Sequence, residues 1–161
     1  MKLSDKLIEA INDQINKEYY SAYLYRSMAL SASAHALHGT TKWMRLQAHE
    51  EVEHAEAMIS YLESRGVRPE LRKLGPVPSD FKTLRDMLTD ILRHEQSVTK
   101  SIEEIVRLAT EEGDYGARIF FEKFIVEQEE EEETAQTVID RFELMGDYGV
   151  ACFDAEMGSR E

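Results

Sequence analysis

A glutamate and a histidine share one face of a predicted helix over residues 43–62. Its apolar residues recur at steps of three and four, as on the buried side of a long helix. Glu51 occupies one of these core positions, and His54 follows one turn later on the same side. A Glu-x-x-His pair directed into a helical bundle is half of a dinuclear metal site. Considered alone, this helix is better interpreted as an ordinary amphipathic helix with Glu51 at the solvent-exposed margin of its apolar face. The metal-site interpretation therefore depends on whether the other helices also place carboxylates in the core.

Three further helical stripes carry polar residues near their mid-lengths. Glu18 interrupts the first and Glu95 the third, while Gln128 and Glu131 interrupt the fourth. Four unpaired buried carboxylates would cost many kcal/mol, and no Lys or Arg lies on any stripe to neutralise them. Metal cations are the remaining physical answer, and carboxylates with one imidazole suit Fe, Mn or Zn.

The ligand count fits two ions about 3.5–4 Å apart and bridged by Glu51. We expect Glu18, Glu51 and His54 to hold one ion. Glu51, Glu95 and Glu131 would then hold the other. So many carboxylates stabilise Fe(III), which favours oxidation of Fe(II) by dioxygen.

Two neutral residues are candidates for supporting roles at this centre. Gln128 is expected to hydrogen-bond bound oxygen or water. Tyr25 lies two turns beyond Glu18 on the same face, within reach of a ligand or a metal-bound oxygen. For Tyr25 considered alone, an ordinary core tyrosine is the better interpretation.

The order of turn and cap signals predicts four long helices. The first runs from Asp5, capped by Ser4, to about Ala34. A turn at residues 39–41 should reverse the chain into a second helix that ends at Gly66. Residues 67–79 contain all three prolines. Extended, they span roughly 40 Å, enough to cross the whole bundle and leave the second and third helices parallel.

The third helix is predicted to start at Ser79 or Asp80 and to end at Gly113. Asp114 should begin the fourth, and Val150–Met157 a short fifth helix, after which we expect the chain to fray. The predicted fold is all-α, a four-helix bundle with a long crossover between helices 2 and 3. Residues 1–161 should form a single domain.

Composition narrows the function classes. The chain of 161 residues carries a formal charge of −13, which argues against nucleic-acid binding and suits a protein that attracts cations. No apolar run approaches a membrane span, and the N-terminal residues lack a signal-peptide core, so we expect a cytoplasmic protein without a membrane partner. Cys152 is the single cysteine, expected as a small apolar side chain.

A second set of acidic residues lies off the stripes. Glu50, Glu53 and Glu56 are spaced three apart on the second helix, and Glu127 and Glu130 are spaced likewise on the fourth. A solvated face is the favoured interpretation of any one of them. The functional alternative is a surface for iron transit or mineral nucleation.

Four segments, in this order on four long helices, resemble non-haem ferritin of the bacterial type: NKEYYSAYLY, HEEVEHAE, RHEQ and IVEQEEEE. The resemblance covers essentially the whole chain. It implies a ferritin-like bundle in a hollow shell of 24 subunits. The ferroxidase centre that it implies comprises Glu18, Glu51, His54, Glu95 and Gln128, with Tyr25 nearby. It also implies a third iron position at Glu50, Glu127, Glu130 and Glu131, and mineral nucleation at Glu50, Glu53 and Glu56.

Some positions depart from related patterns. Val52 stands where haem-containing bacterioferritins have a methionine ligand, and Gln128-x-x-Glu131 replaces their second Glu-x-x-His, so we expect no haem. Arg118 and Phe121 fall where the vertebrate acidic pore motif has its two acids, which leaves the route of iron into the shell open. The remaining histidines are interpreted as surface or loop residues: His35, His38, His49 and His94.

The predicted function is iron storage with ferroxidase activity, in which dioxygen or peroxide oxidises Fe(II) and ferric oxyhydroxide is deposited. A rubrerythrin-type oxidase or peroxidase is the first alternative. That class usually has a second Glu-x-x-His and often a CxxC iron site, and this chain has neither. A DNA-protecting mini-ferritin is the second alternative. Such proteins often carry a basic tail, whereas the end of this chain is short and acidic. A purely structural bundle is disfavoured by the four stripe carboxylates.

Overall fold

The computed structural model describes residues 2–160, and helices account for most of them. The five helices are α1 (Asp5–Ala34), α2 (His38–Ser64), α3 (Leu84–Glu111), α4 (Tyr115–Met145) and α5 (Val150–Met157). A single 3-10 turn, Asp147–Gly149, precedes α5, and no strand occurs within residues 2–160. The prediction of an all-α bundle with a short fifth helix is confirmed. None of the helices in the described range is both long enough and apolar enough to cross a bilayer.

Two apolar clusters fill the bundle, and a buried polar layer separates them. One cluster is built from the first halves of α1 and α4 and the last halves of α2 and α3; the other takes the opposite halves and α5. Glu18, Glu51, Glu95 and Gln128 lie between the clusters, each 1–2% exposed. The four polar interruptions therefore share one level, with α2 and α3 parallel to each other and antiparallel to α1 and α4.

The crossover between α2 and α3 runs along α1. The amide of Glu70 donates to Asn12 Oδ1 at 2.9 Å, and the Ser27 hydroxyl donates to the carbonyl of Pro78 at 2.5 Å. Asn12 and Ser27 are about 22 Å apart along α1 at 1.5 Å per residue. The connection thus follows α1 for about half of its length, and it joins the end of α2 to the start of the parallel α3, as its proline content and reach predict.

The predicted turn at residues 39–41 is wrong, because these residues already belong to α2. The Asp154 carboxylate of α5 accepts hydrogen bonds from the amides of Gly39 (3.0 Å) and Thr40 (2.7 Å). The first turn of α2 is thus capped from a distant helix, a signal that local sequence does not contain. A Cβ on Gly39 would lie 1.7 Å from the Asp154 carbonyl oxygen, so only glycine permits this approach.

The predicted start of α3 at Ser79 or Asp80 is also wrong. Thr83 is the N-cap, and its hydroxyl oxygen accepts from the Asp86 amide at 3.0 Å. The segment before it remains extended against α1, which postpones the helix to Leu84. By contrast, Gly66 and Gly113 have positive φ angles just past the ends of α2 and α3, as predicted for C-terminal capping residues.

Two single-residue predictions need correction. Cys152 is exposed rather than packed as a small apolar side chain, because α5 directs its neighbour Phe153 into the core instead. His94 is half-buried on α3, with Nε2 2.7 Å from the Ser21 hydroxyl, and burial lowers its pKa to about 4. The other three histidines outside the predicted centre are exposed, as expected: His35, His38 and His49.

Candidate metal centre

Three side chains converge in the polar layer, and we call them the open half of the centre: Glu18, Glu51 and His54. One ligand atom from each lies within 4.8 Å of the other two. Glu18 Oε2 and Glu51 Oε1 are buried without a hydrogen-bond partner. Burial, and then the repulsion of neighbouring carboxylates, raises the pKa of both groups. A cation between them would satisfy both oxygens and remove the repulsion.

The imidazole of His54 is held in place by carboxylates and a ring. Its Nδ1 lies 3.8 Å from Glu51 Oε2, and its Nε2 lies 3.5 Å from Glu127 Oε2. Phe124 packs against the ring with 5.6 Å between centroids, nearly perpendicular. One nitrogen therefore faces the open half, while the other faces a carboxylate that can fix its orientation, as is usual for metal-binding histidines.

Three residues on α3 and α4 form what we call the closed half: Glu95, Gln128 and Glu131. Both oxygens of Glu95 already have partners: Oε1 accepts from the Tyr25 hydroxyl at 2.6 Å, and Oε2 accepts from Gln128 Nε2 at 3.1 Å. Burial raises the pKa of Glu95, and these two hydrogen bonds oppose the rise. The protein itself thus stabilises this carboxylate.

Glu131 is half-buried and is bonded by a residue that sequence analysis missed. Its Oε2 accepts from Gln47 Nε2 at 2.8 Å. Burial and the nearby Glu95 raise the pKa of Glu131. Gln47 itself is fully buried on α2. The carboxylate is thereby held toward the centre from a different helix.

A second glutamine also escaped sequence analysis. Gln14 is buried on α1 and donates to Glu18 Oε1 at 2.7 Å. Spacing was the available signal for Gln14, which precedes its partner Glu18 by four residues. Gln47 had no such signal, because its partner Glu131 is 84 residues away in sequence.

The segment after α5 does not fray over residues 158–160. One nitrogen of the Arg160 guanidinium donates to both Glu50 oxygens, at 2.7 and 2.8 Å, and a second nitrogen donates to Gln47 Oε1. It lies over the ring of Trp43, 5.6 Å from the centroid. The prediction of a frayed end is wrong for these residues, and Glu161 lies outside the described range.

The acidic residues off the stripes are dispersed. Glu53 and Glu56 are exposed on α2; His49 lies 3.5 Å from Glu53, and Tyr19 donates to Glu56 at 2.5 Å. Glu130 is exposed on α4. Within residues 2–160, the ligand atoms that converge belong to the open half. Among the four residues predicted for a third iron position, no three have ligand atoms that all lie within 4.8 Å of one another: Glu50, Glu127, Glu130 and Glu131.

Comparison with known proteins agrees with this geometry. A model of the ferritin-like domain matches residues 8–145. A bacterial non-heme ferritin of Bacteroides fragilis is 35% identical over 158 residues, covering 98% of this chain and 99% of that protein. One from Campylobacter jejuni is 33% identical, covering 96% and 92%. An open-pore ferritin of Archaeoglobus fulgidus superposes with a TM-score of 0.97 at 36% identity, covering 99% of this chain and 100% of that one. The chain belongs to the ferritin family.

Proposed function

We propose that this protein stores iron, and that it oxidises Fe(II) with dioxygen before depositing it as ferric oxyhydroxide. The carrying observation is the open half, in which two buried carboxylates and an imidazole offer ligand atoms that all lie within 4.8 Å of one another, and each carboxylate has an oxygen without a hydrogen-bond partner. Hard carboxylate ligands with one imidazole suit iron, and they stabilise the ferric state more than the ferrous state.

The residues divide the work as follows. The substrate iron ions bind beside Glu51, one toward Glu18 and His54 and the other toward Glu95 and Glu131. Each Fe(II) gives up an electron to dioxygen, or to peroxide, and hydrolysis of the ferric product releases protons. The carboxylates of the polar layer attract the iron cations electrostatically.

Two neutral side chains complete the centre in this proposal. Gln128 holds Glu95 and offers a hydrogen bond to bound oxygen or water. Tyr25 holds the other Glu95 oxygen in position, which orients the ligand for the second ion. Glu50, Glu127, Glu130 and Glu131 are proposed to serve a third iron, and Glu53 and Glu56 to nucleate mineral.

The decisive experiment mixes the metal-free protein with Fe(II) in air and follows ferric absorbance. Glu51→Ala and His54→Ala should each slow the initial phase by at least about tenfold, because each removes a direct ligand. Glu63→Ala is the matched control, since Glu63 is an exposed glutamate on the same helix. Initial rates that are unchanged in both ligand variants would refute the assignment.

We further propose that the centre works without haem. Val52 offers no axial ligand where haem-containing relatives have one. The purified protein should therefore lack a Soret band, and stoichiometric haem absorbance would overturn this proposal.

The assembly we propose is a homo-oligomeric shell of about 24 copies of one domain spanning residues 1–161, in the cytoplasm. Mass measurement in solution separates it from a mini-ferritin of about 12 subunits or a small rubrerythrin-like oligomer. The high negative charge disfavours a nucleic-acid partner.

A further inference from the structure

We propose that Arg160 is a tethered cation that neutralises Glu50, so that a metal ion binds beside Glu50 only after displacing it. The inference rests on the proposed function, and it assigns a regulatory role to the segment formed by residues 158–160. No other ion pair of an arginine with one of the predicted ligands occurs among the described residues.

The contacts of the Arg160 guanidinium are those that a metal at Glu50 would need. One nitrogen lies 2.7 and 2.8 Å from the two Glu50 oxygens, which is the position between both oxygens that a chelated metal ion would take. The other nitrogen donates to Gln47 Oε1, and Gln47 in turn donates to Glu131. The positive charge thus reaches two of the four predicted third-iron ligands, one directly and one through an amide.

The segment that carries Arg160 is anchored independently of this ion pair. Lys42 Nζ donates to the carbonyls of Gly158 at 3.1 Å and Arg160 at 2.6 Å. Asp154 joins α5 to the first turn of α2, and a Cβ on Gly39 would clash there. Because α5 is docked in this way, the guanidinium has a high local concentration at Glu50 even after a metal displaces it.

Displacement of the Arg160 guanidinium should be visible as a change in the fluorescence of Trp43. The guanidinium lies over Trp43, which is the single tryptophan of the chain. A cation above an indole ring changes its electronic environment, so removal of Arg160 should change the tryptophan emission. A metal that fills only the open half does not require that movement.

The test titrates the metal-free protein with Zn(II), which does not change oxidation state, while calorimetry and Trp43 emission are recorded. In the wild type, the weakest zinc equivalent should coincide with an emission change. In Arg160→Gln, that equivalent should bind about tenfold more tightly, because the competing charge-assisted pair is gone, and its emission change should disappear. Arg160→Lys keeps the charge without the planar fork and should fall between the two.

Arg141→Gln is the matched control. Arg141 makes a two-pronged pair with Glu156 of α5, at 2.9 and 2.8 Å, so its loss removes the same charge and loosens the same helix away from Glu50. It should leave the zinc isotherm as in the wild type. An equal gain in affinity in Arg141→Gln, or no gain in Arg160→Gln, would overturn the inference.

A parallel titration of Glu51→Ala separates this inference from the proposed function. If the tight zinc equivalents survive in that variant, the metal centre itself is misassigned, and the role of Arg160 falls with it. If they are lost as expected but Arg160→Gln still binds like the wild type, only the role of Arg160 is wrong.

Discussion

The two halves of the polar layer are equally buried but differently satisfied. In the open half, Glu18 Oε2 and Glu51 Oε1 have no hydrogen-bond partner. In the closed half, Tyr25 and Gln128 donate to the two oxygens of Glu95. Both arrangements place carboxylates in the core, yet only the first leaves them in need of a cation.

This difference indicates an order of metal binding. An ion entering the open half displaces no hydrogen bond from Glu18 Oε2 or Glu51 Oε1, because these two oxygens are already desolvated and unpaired. An ion entering the closed half has to share or replace existing hydrogen bonds. We therefore expect the first ion at Glu18, Glu51 and His54, and the second toward Glu95 and Glu131.

The largest expected effect tests that order directly. Glu18→Ala should weaken the first anaerobic Fe(II) equivalent by about 10- to 100-fold, because it removes a ligand of the open half. Glu95→Ala should spare the first equivalent and weaken the second. Calorimetric titration of both variants checks this, and equal losses at the first equivalent would remove the distinction between the halves.

The open half should also destabilise the metal-free protein. Burial raises the pKa of Glu51 above its ordinary value of 4.5, so the folded state holds its proton at a pH where the unfolded state has released it. Stability from this group is thus greatest at low pH and falls as pH rises from about 4.5 through the raised folded pKa. Glu51→Gln should stabilise the metal-free protein at pH 7 by about 1–3 kcal/mol.

Thermal unfolding across pH 4–8, with and without Zn(II), measures this effect. Zinc should stabilise the wild type strongly at neutral pH and the variant little. Glu63→Gln, on the exposed face of the same helix, controls for the loss of one surface charge. A Glu51→Gln protein less stable than the control at pH 7 would show that the buried Glu51 carboxylate does not destabilise the metal-free protein.

The stability of the metal-free protein should depend on the hydrogen bond that Tyr25 donates to Glu95 in the closed half. Tyr25→Phe removes the hydrogen bond to a Glu95 oxygen and should cost about 1–2 kcal/mol of stability in the metal-free protein. Tyr19→Phe is matched to it, because Tyr19 donates to the exposed Glu56 and its loss should cost much less. Denaturant unfolding of the two variants compares them, and equal costs would mean that Glu95 is not stabilised by Tyr25.

The smallest expected effect separates oxidation from storage. Replacing Glu53 and Glu56 together by Ala leaves both halves of the centre intact, so the fast oxidation phase should persist while mineral growth at high iron loading slows by a few-fold. Stopped-flow absorbance and scattering of the growing core measure the two phases. If the double variant loses the fast phase but grows mineral normally from pre-oxidised iron, Glu53 and Glu56 serve oxidation rather than mineral growth. If neither phase changes, the two glutamates are only part of a solvated surface.

Sequence analysis located the polar layer because helical periodicity is local. Glu18 and Glu95 each replace one apolar residue in a regular stripe, and such a stripe can be read from a single helix. Their common level follows from helix lengths and the proline-rich crossover. What each carboxylate bonds to could not be inferred, because Tyr25 and Glu95 are 70 residues apart in sequence.

Three of the errors share one physical origin. The start of α2 depends on Asp154, and the start of α3 depends on where the extended segment leaves α1. Similarly, the order of Arg160 depends on Glu50, Gln47 and Trp43. In each case a contact with a residue distant in sequence decides where the helix begins or whether the segment is ordered.

Residue spacing and backbone preference are enough to predict the four long helices, their apolar faces, the crossover and which carboxylates enter the core. Which of those carboxylates are hydrogen-bonded within the protein, and which have unpaired oxygens that a cation would satisfy, depends on how the helices pack. That decision rests on hydrogen bonds and ion pairs between helices, whose energies depend on distances of a few ångströms that exist only after the bundle has packed.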